Sequence, residues 1–565
     1  MADGQRILRV SFRALNLAVS VSAVATIAYY HGFAYHPGHM AEHGVYLHTS
    51  LVFYHVLFVV RAARAPRVRE YLRAEAPEAF VLATVVAMVA VNWATDSGLA
   101  RLLATFTGAD AEHGWVLVLH LWLLLIVGME LARVVATSTA LWVLSAARLF
   151  IASFAVLVVV GAVLLMLPEM SQDATRLSFV DALFTSTSAA CVTGLAVVDT
   201  ATRLSAKGQL LVLVLIQLGG LNIIFFATFF ITRYAQAETP ESDAAVSQLL
   251  QTQSLTADDT RAMMKRVIGT ALGVELVGAV LLHAASGREG SIFSSGFHAV
   301  SAFNNAGFSV YPSGLENPSM VSNPAFQAVV ALLIVVGGMG FTTIWDLARL
   351  RSSSLGSRVA IGAAVVLIPV GALLLFVLEF ADSSPGASTG LGAAAFHSVS
   401  ARTAGFSTVN IGSLGLPALI LLMLLMFVGA SSGSTGGGIK TSTTAVLGLV
   451  LARRLRLTES ALFSCPALVR RAGMILLCSV AVVAVGTGAL LMTEPGAAFE
   501  AVLFEEVSAF ATVGLSTGLT PALSSAGKAV VMATMFIGRI GPLSLGYALM
   551  TGSQEPSDDG AIMVG

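Results

Sequence analysis

The chain has 565 residues, 56% hydrophobic and 11% charged, with 31 basic against 32 acidic side chains, and its mean hydropathy is +0.84. Soluble domains carry about a quarter charged residues, so a soluble enzyme or a nucleic-acid-binding domain is excluded and the lipid bilayer becomes the expected surroundings. Three cysteines, Cys191, Cys465 and Cys478, are too few and too scattered for a disulfide framework or a thiolate metal site; Cys191 reads as a small buried hydrophobe.

Residues 1–145 hold about four apolar segments, near 10–30, 46–62, 78–95 and 114–136. The first follows Arg6, Arg9 and Arg13, as a secretory leader would, but it is long and opens a multi-helix array. Arg61, Arg64, Arg67, Arg69 and Arg73 fill the second inter-helix loop, whereas the first and third loops are poor in basic residues. That alternation places the N-terminus and the arginine loop in the cytoplasm. A voltage sensor would carry its arginines at every third position inside a helix, and these cluster in a loop.

From Ala147 onward one unit recurs four times: a long apolar helix, a half-length segment, a glycine-containing strand and a second long helix. The units cover about 147–232, 266–348, 358–452 and 469–551, followed by a short cytoplasmic tail at 552–565. The half-length segments Phe179–Thr187, Ile292–Ser301, Ala393–Ser400 and Ala498–Ser508 are too short to cross a bilayer and suit re-entrant helices. The loops between units are basic, with Arg349, Arg351 and Arg358, then Arg453, Arg454, Arg456, Arg470 and Arg471. Arg233, Lys265 and Arg266 bracket the loop after the first unit. These loops belong inside, so the glycine strands enter from the outer face and both termini are cytoplasmic. The polar connections 234–264 and 453–471 read equally well as solvated loops and as docking surfaces for a soluble partner.

The strands are Cys191-Val192-Thr193-Gly194-Leu195, Asn304-Asn305-Ala306-Gly307-Phe308, Arg402-Thr403-Ala404-Gly405-Phe406 and Ala511-Thr512-Val513-Gly514-Leu515. Four such strands around one axis form a ring of carbonyls able to replace a cation's water shell. The carbonyls of Val192, Thr193, Asn305, Ala306, Thr403, Ala404, Thr512 and Val513 are expected to face that axis. Arg402, a lone charge inside a strand, is expected behind it as a brace on backbone oxygens or on Glu505 or Glu506, because a buried guanidinium is costly without partners. His298 and His397 occupy matching places in two half-length helices and read as satisfied buried histidines, with proton coupling the other reading.

The run Gly429-Ala430-Ser431-Ser432-Gly433-Ser434-Thr435-Gly436-Gly437-Gly438 interrupts the last helix of the third unit, and Lys440 follows. Glycine at that density breaks a helix. A mobile polar loop ending in a fixed positive charge is a natural barrier to a cation; a packing kink is the plainer reading, and a phosphate-binding loop lacks its strand and soluble domain. Arg539, in the last helix, is a second intramembrane charge that the carbonyls of this loop would satisfy.

These strands, with Thr185–Leu195, Ser301–Phe308, His397–Phe406 and Ser508–Ser516 around them, the run from Gly429 to Lys440, and Gly538-Arg539-Ile540-Gly541-Pro542-Leu543, resemble the Trk/Ktr/HKT superfamily of potassium transporters over about 147–551. The resemblance implies an all-α membrane protein with four pseudo-repeated units around one pore, a homodimer on a separate cytoplasmic ring that binds nucleotides, and K⁺ as the transported ion. No nucleotide or covalent cofactor is expected in this chain, which has no Gly-rich dinucleotide motif. Cys-Val-Thr-Gly in the first strand is closer to the Ktr branch, but the four N-terminal helices exceed both the Ktr pattern and the two extra helices of Trk, so the branch stays open. A membrane enzyme would need a metal-ligand pair or an activated nucleophile, and neither is present. The closer rival is a Na⁺- or H⁺-coupled secondary transporter, although repeats that all point one way argue against an inverted-repeat design.

Overall fold

A computed structural model of the chain describes residues 2–33, 40–95, 111–137, 146–173, 175–234, 257–287, 290–349, 355–380, 390–454 and 466–541. The fold is all-α; among the described residues extended pairing is confined to two isolated bridges, Ser171 with Leu204 and Val428 with Ile439. The chain divides into two compact units, Met1–Leu144 and Ser145–Gly565.

The first unit contains α1 (Ala2–Gly32), α2 (Met40–Arg64), α3 (Val68–Ala74), α4 (Ala76–Ala94) and α5 (Ala111–Thr137). Leu47, Leu51, Tyr54, Leu82, Leu119, Leu123 and Ile126 form its core. The arginine loop is shorter than the sequence reading placed it. Arg61 lies inside α2 and pairs with Glu78 at 2.7 Å and Glu130 at 2.8 Å, while Arg133 pairs with Glu75, Glu78 and Glu130. Two acids that are 2% exposed thus meet two guanidinium groups, which is how a charge is retained in an apolar bundle.

The second unit repeats one pattern. It runs α6 (Ala146–Leu165), the short α7 (Phe179–Ala190) and α8 (Ala206–Tyr234); then α9 (Ala257–Ser286), the short α10 (Ile292–Phe303) and α11 (Pro324–Met339) with α12 (Phe341–Ala348). It continues with α13 (Leu355–Leu375), the short α14 (Leu391–Ser400), α15 (Leu416–Phe427) and α16 (Thr441–Arg454), and ends with α17 (Pro466–Thr493), the short α18 (Phe499–Phe510) and α19 (Ser525–Ile540). Ser178 and Ser291 cap α7 and α10 by accepting from the N–H groups of Asp181 and Ser294, the usual way to satisfy a helix start. Asn323 with Pro324 opens α11, and Ser524 caps α19.

Polarity is arranged for a bilayer. Aliphatic side chains on the first helix of each unit face outward, among them Val156, Val159, Leu276, Val280, Val366, Leu373, Leu477 and Val485, whereas Ser186, Ser188, Ser295, Ser301, Ser398, Ser400 and Ser508 are fully buried. Among the described residues His43–Arg64, Ala262–Ser286, Gly356–Glu379 and Val469–Thr493 are long and apolar enough to cross a membrane, and α11 and α12 together are as long and apolar but bent by 106° at their break. The bend is at Gly340, with φ 85°, and α19 ends at Gly541, with φ 88°. Pro542, Leu543 and the expected tail lie outside the described residues, as do Arg351 and Cys465.

Candidate functional site: a ring of four glycine strands over a glycine-rich loop

Each short helix ends at the same backbone manoeuvre. After Cys191, Asn304, Ala401 and Ala511 close the helices, the chain enters left-handed conformations at Val192 (φ 57°), Asn305 (φ 58°), Thr403 (φ 74°) and Thr512 (φ 48°), and again at Gly194, Gly307, Gly405 and Gly514. Left-handed backbone is uncommon for any residue with a Cβ and a genuine outlier at a β-branched one such as Val192, Thr403 and Thr512. Strain of that kind persists only where the surroundings over-determine it. They do so with four serines. The Ser188, Ser301 and Ser508 carbonyls accept from Thr193 N, Ala306 N and Val513 N at 2.8, 2.7 and 2.9 Å, and Ser400 O accepts from Ala404 N and Gly405 N. The Ser188 and Ser508 hydroxyls accept from Gly194 N and Gly514 N, while those of Ser301 and Ser400 donate to Phe308 O and Phe406 O.

The strands touch one another in one cyclic order. A Cβ on Gly194 would stand 2.5 Å from Ala306 O, and one on Gly307 would stand 2.7 Å from Ala404 O. On Gly405 it would strike Val513 O, and on Gly514 it would strike Thr193 O. The contacts run from the first strand to the second, third, fourth and back to the first. Thr193, Ala306, Ala404 and Val513 therefore each lay a carbonyl against the preceding strand's glycine, and no larger residue fits at any of the four. The Asn305 amide adds a side-chain link to Thr403 Oγ1 at 3.1 Å.

Three residues before each serine stands Thr185, His298, His397 or Glu505. His298 bonds Ser294 O and Ser309 Oγ at 2.7 and 2.8 Å and stacks on Tyr311. His397 bonds Ala393 O and Ser407 Oγ and accepts from Thr408 N. Glu505 accepts from Ser516 Oγ, Thr517 N and Thr520 Oγ. All three pin the segment that leaves the strand to the helix that enters it.

The run from Gly429 to Gly438 lies against the ends of these strands nearest the short helices. Gly436 abuts Thr403 Oγ1, Gly437 abuts Thr512 Oγ1 and Gly438 packs on Ala511. Gly429 N donates to Ile439 O at 2.9 Å, Ser431 N to Gly338 O, and Phe341 N to Gly433 O. Thr435 Oγ1 donates to Phe303 O at 3.2 Å, and Lys440 Nζ donates to Gly436 O at 2.6 Å, inside the loop itself. Arg539, 4% exposed, donates from Nη1 to Thr435 O and from Nη2 to Gly219 O at 2.8 Å. It bridges the loop to α8.

Arg402 departs from its expected place. Its side chain makes no hydrogen bond or ion pair among the described residues, and Nε is buried without a partner. It lines a small cavity with Ile334, Gly338, Ala364, Ala430 and Ser431. Glu505 is already satisfied by hydroxyl and amide donors, and Glu506 lies against Gly486; neither reaches the arginine. The reason is local: the third strand has one residue fewer between its serine and its glycine than the others, so Arg402 turns outward toward α11 and α13. Sequence reasoning also missed Glu275, a buried acid held by Gln217 and Asn304; a single acid in an apolar helix, outside any motif, gave no signal beyond its own cost.

A family model described as TrkH, cation transport protein, matches residues 120–558. The chain belongs to this family of cation transport proteins. Ktr system potassium uptake protein B of Bacillus subtilis (strain 168) is 36% identical over 420 residues, spanning 71% of this chain and 92% of that protein. Potassium/sodium uptake protein NtpJ of Enterococcus hirae is 32% identical over 431 residues, spanning 72% and 93%. The fold matches the crystal structure of the potassium transporter TrkH from Vibrio parahaemolyticus with a TM-score of 0.60 and 19% identity, covering 82% of this chain and 97% of that one. The chain is accordingly a multi-pass membrane transporter and not an enzyme. The family match begins at residue 120, so most of the N-terminal unit lies outside it.

Proposed function

We propose that the chain is a potassium uptake pore of the cytoplasmic membrane whose selectivity filter is the four-strand ring and whose gate is the loop from Gly429 to Gly438. The observation that carries the reading is the closed cycle of carbonyl-to-glycine contacts through Thr193, Ala306, Ala404 and Val513. Backbone dipoles in that arrangement replace hydration without a fixed negative charge, which suits a large monovalent cation. The short helices end at the ring, so their negative dipole ends favour a cation there. Val192, Asn305, Thr403 and Thr512 supply the carbonyls one step further in.

Gating follows from what lies beneath. Lys440 donates to Gly436 O and Arg539, from α19, to Thr435 O, so two basic side chains hold the loop against the end of the ring. Opening requires the loop to leave Thr435 O unpaired by Arg539, and a pull on α16 beyond Lys440 is the direct way to do so. The puller we infer is a separate cytoplasmic ring that binds nucleotides, acting on a homodimer of this chain, and both termini lie on its side of the membrane. The names of the relatives, potassium uptake and potassium/sodium uptake proteins, support K⁺ as the ion carried. Rb⁺ and Na⁺ flux into liposomes containing the purified protein, with and without a gradient of Na⁺ or H⁺, tests this. Rb⁺ entry that needs no second gradient supports the pore; entry only when Na⁺ or H⁺ is driven inward would make the chain a coupled secondary transporter.

A further inference from the structure

The second strand differs from the other three in what stands behind it. Its helix ends in Asn304, where the first has Cys191, the third Ala401 and the fourth Ala511. Asn304 is fully buried, and Gly220 of α8 makes the room for its amide: a Cβ there would strike Asn304 Oδ1. Asn304 Nδ2 donates to Glu275 Oε1 at 3.1 Å and to Gln217 Oε1 at 3.0 Å, and Gln217 Nε2 donates to Glu275 Oε2 at 3.2 Å. Glu275 lies on α9, is 5% exposed and has no basic partner among the described residues. A carboxyl group inside a membrane protein without a cation beside it is costly. What it accomplishes is to hold Asn304, immediately before Asn305 and Ala306.

We propose that Glu275 is the positioning residue of the second filter strand, fixing the Ala306 carbonyl through Asn304 and thereby setting the preference for K⁺ over Na⁺. The proposal rests on the reading of the ring as a filter. A carbonyl ring distinguishes the two ions by the number and placement of its dipoles, and Asn304, at the strand's root, is tied to both α8 and α9. The neighbouring Gly219 carbonyl also receives Arg539, so a change at Glu275 has a second route to flux, through the loop. The test has to tell these routes apart.

Rb⁺ and Na⁺ fluxes are measured in liposomes for wild type, Glu275→Gln, Glu275→Ala, Asn304→Ala, the Glu275→Ala/Asn304→Ala pair and Gly307→Ser. Loss of one buried hydrogen bond is worth up to about tenfold. Glu275→Ala is therefore expected to lower the Rb⁺/Na⁺ ratio by up to about tenfold, Glu275→Gln less, and the double variant no more than the single ones, as for two members of one link. Two results overturn the proposal while leaving the filter intact: Gly307→Ser shifts the ratio and the Glu275 variants do not, or the Glu275 variants change total flux at an unchanged ratio. An unchanged ratio in Gly307→Ser defeats the filter reading itself. Should Glu275→Ala fail to fold, the isosteric Glu275→Gln carries the decision, and a wild-type ratio there refutes the proposal.

Discussion

Replacing Arg539 with alanine isolates the energy that holds the loop in place. The guanidinium makes two hydrogen bonds to carbonyls, but only the one to Thr435 belongs to the loop; the other anchors the side chain to Gly219 of α8. Opening as proposed breaks the first and spares the second. A hydrogen bond to a charged donor contributes about 1.5–3 kcal/mol, and 1.4 kcal/mol is tenfold, so the bias toward the closed loop from this bond is roughly ten- to a hundredfold. The loop keeps its contacts to Phe303 O, Gly338 O and Phe341 N, so Arg539→Ala should loosen it without unfolding it. In liposomes lacking any cytoplasmic partner, Rb⁺ flux should rise about tenfold or more with the Rb⁺/Na⁺ ratio unchanged. A fall in flux, with the variant still monodisperse and as thermally stable as wild type, would refute the reasoning and make Arg539 part of the conducting path.

Further outcomes follow from the same geometry. Gly194→Ser should lower K⁺ preference in a well-expressed protein, because its Cβ collides with Ala306 O; growth rescue of a K⁺-uptake-deficient cell at limiting K⁺ reads it out. Deleting Gly433–Gly437 should raise flux and weaken dependence on the cytoplasmic partner, as measured by flux with and without it. Arg402→Met should leave thermal stability in detergent unchanged or higher, since an unpaired guanidinium is replaced by a side chain of similar length; a marked drop in the melting temperature would restore its role as a brace. Lys528→Met breaks the 2.7 Å pair with Asp181 that joins α19 to α7, and because both groups are partly exposed the cost should stay within about 1 kcal/mol by thermal or denaturant unfolding.

The places of the four strands are legible in the sequence because small residues and glycine recur after each half-length segment, and the ring they form follows from that recurrence. What hides is the conformation beside each glycine. Val192, Thr403 and Thr512 are β-branched residues that any propensity scale assigns to extended backbone, and the serines behind them, through carbonyl and hydroxyl, hold the strands that contain them. The bend at Gly340 hides as well, since a glycine in an apolar run reads as a packing contact until its neighbour, here the Gly433 segment, is known. Arg402 misleads for the opposite reason: a charge in a strand suggests a brace, but a strand one residue shorter turns it away from every acid the sequence offered. Arg61 reads as part of a loop because charges usually mark one, while the acids that keep it within a helix, Glu78 and Glu130, come from distant segments.

The central claim, that Thr193, Ala306, Ala404 and Val513 form a cation site from backbone carbonyls, is tested most directly by anomalous diffraction from crystals grown in Rb⁺ or Tl⁺. The account predicts an anomalous peak on the axis enclosed by those four carbonyls, lost when Na⁺ replaces the heavier ion and weakened in Gly194→Ser. Heavy-ion density found only elsewhere, with the ring ordered and empty, would contradict it.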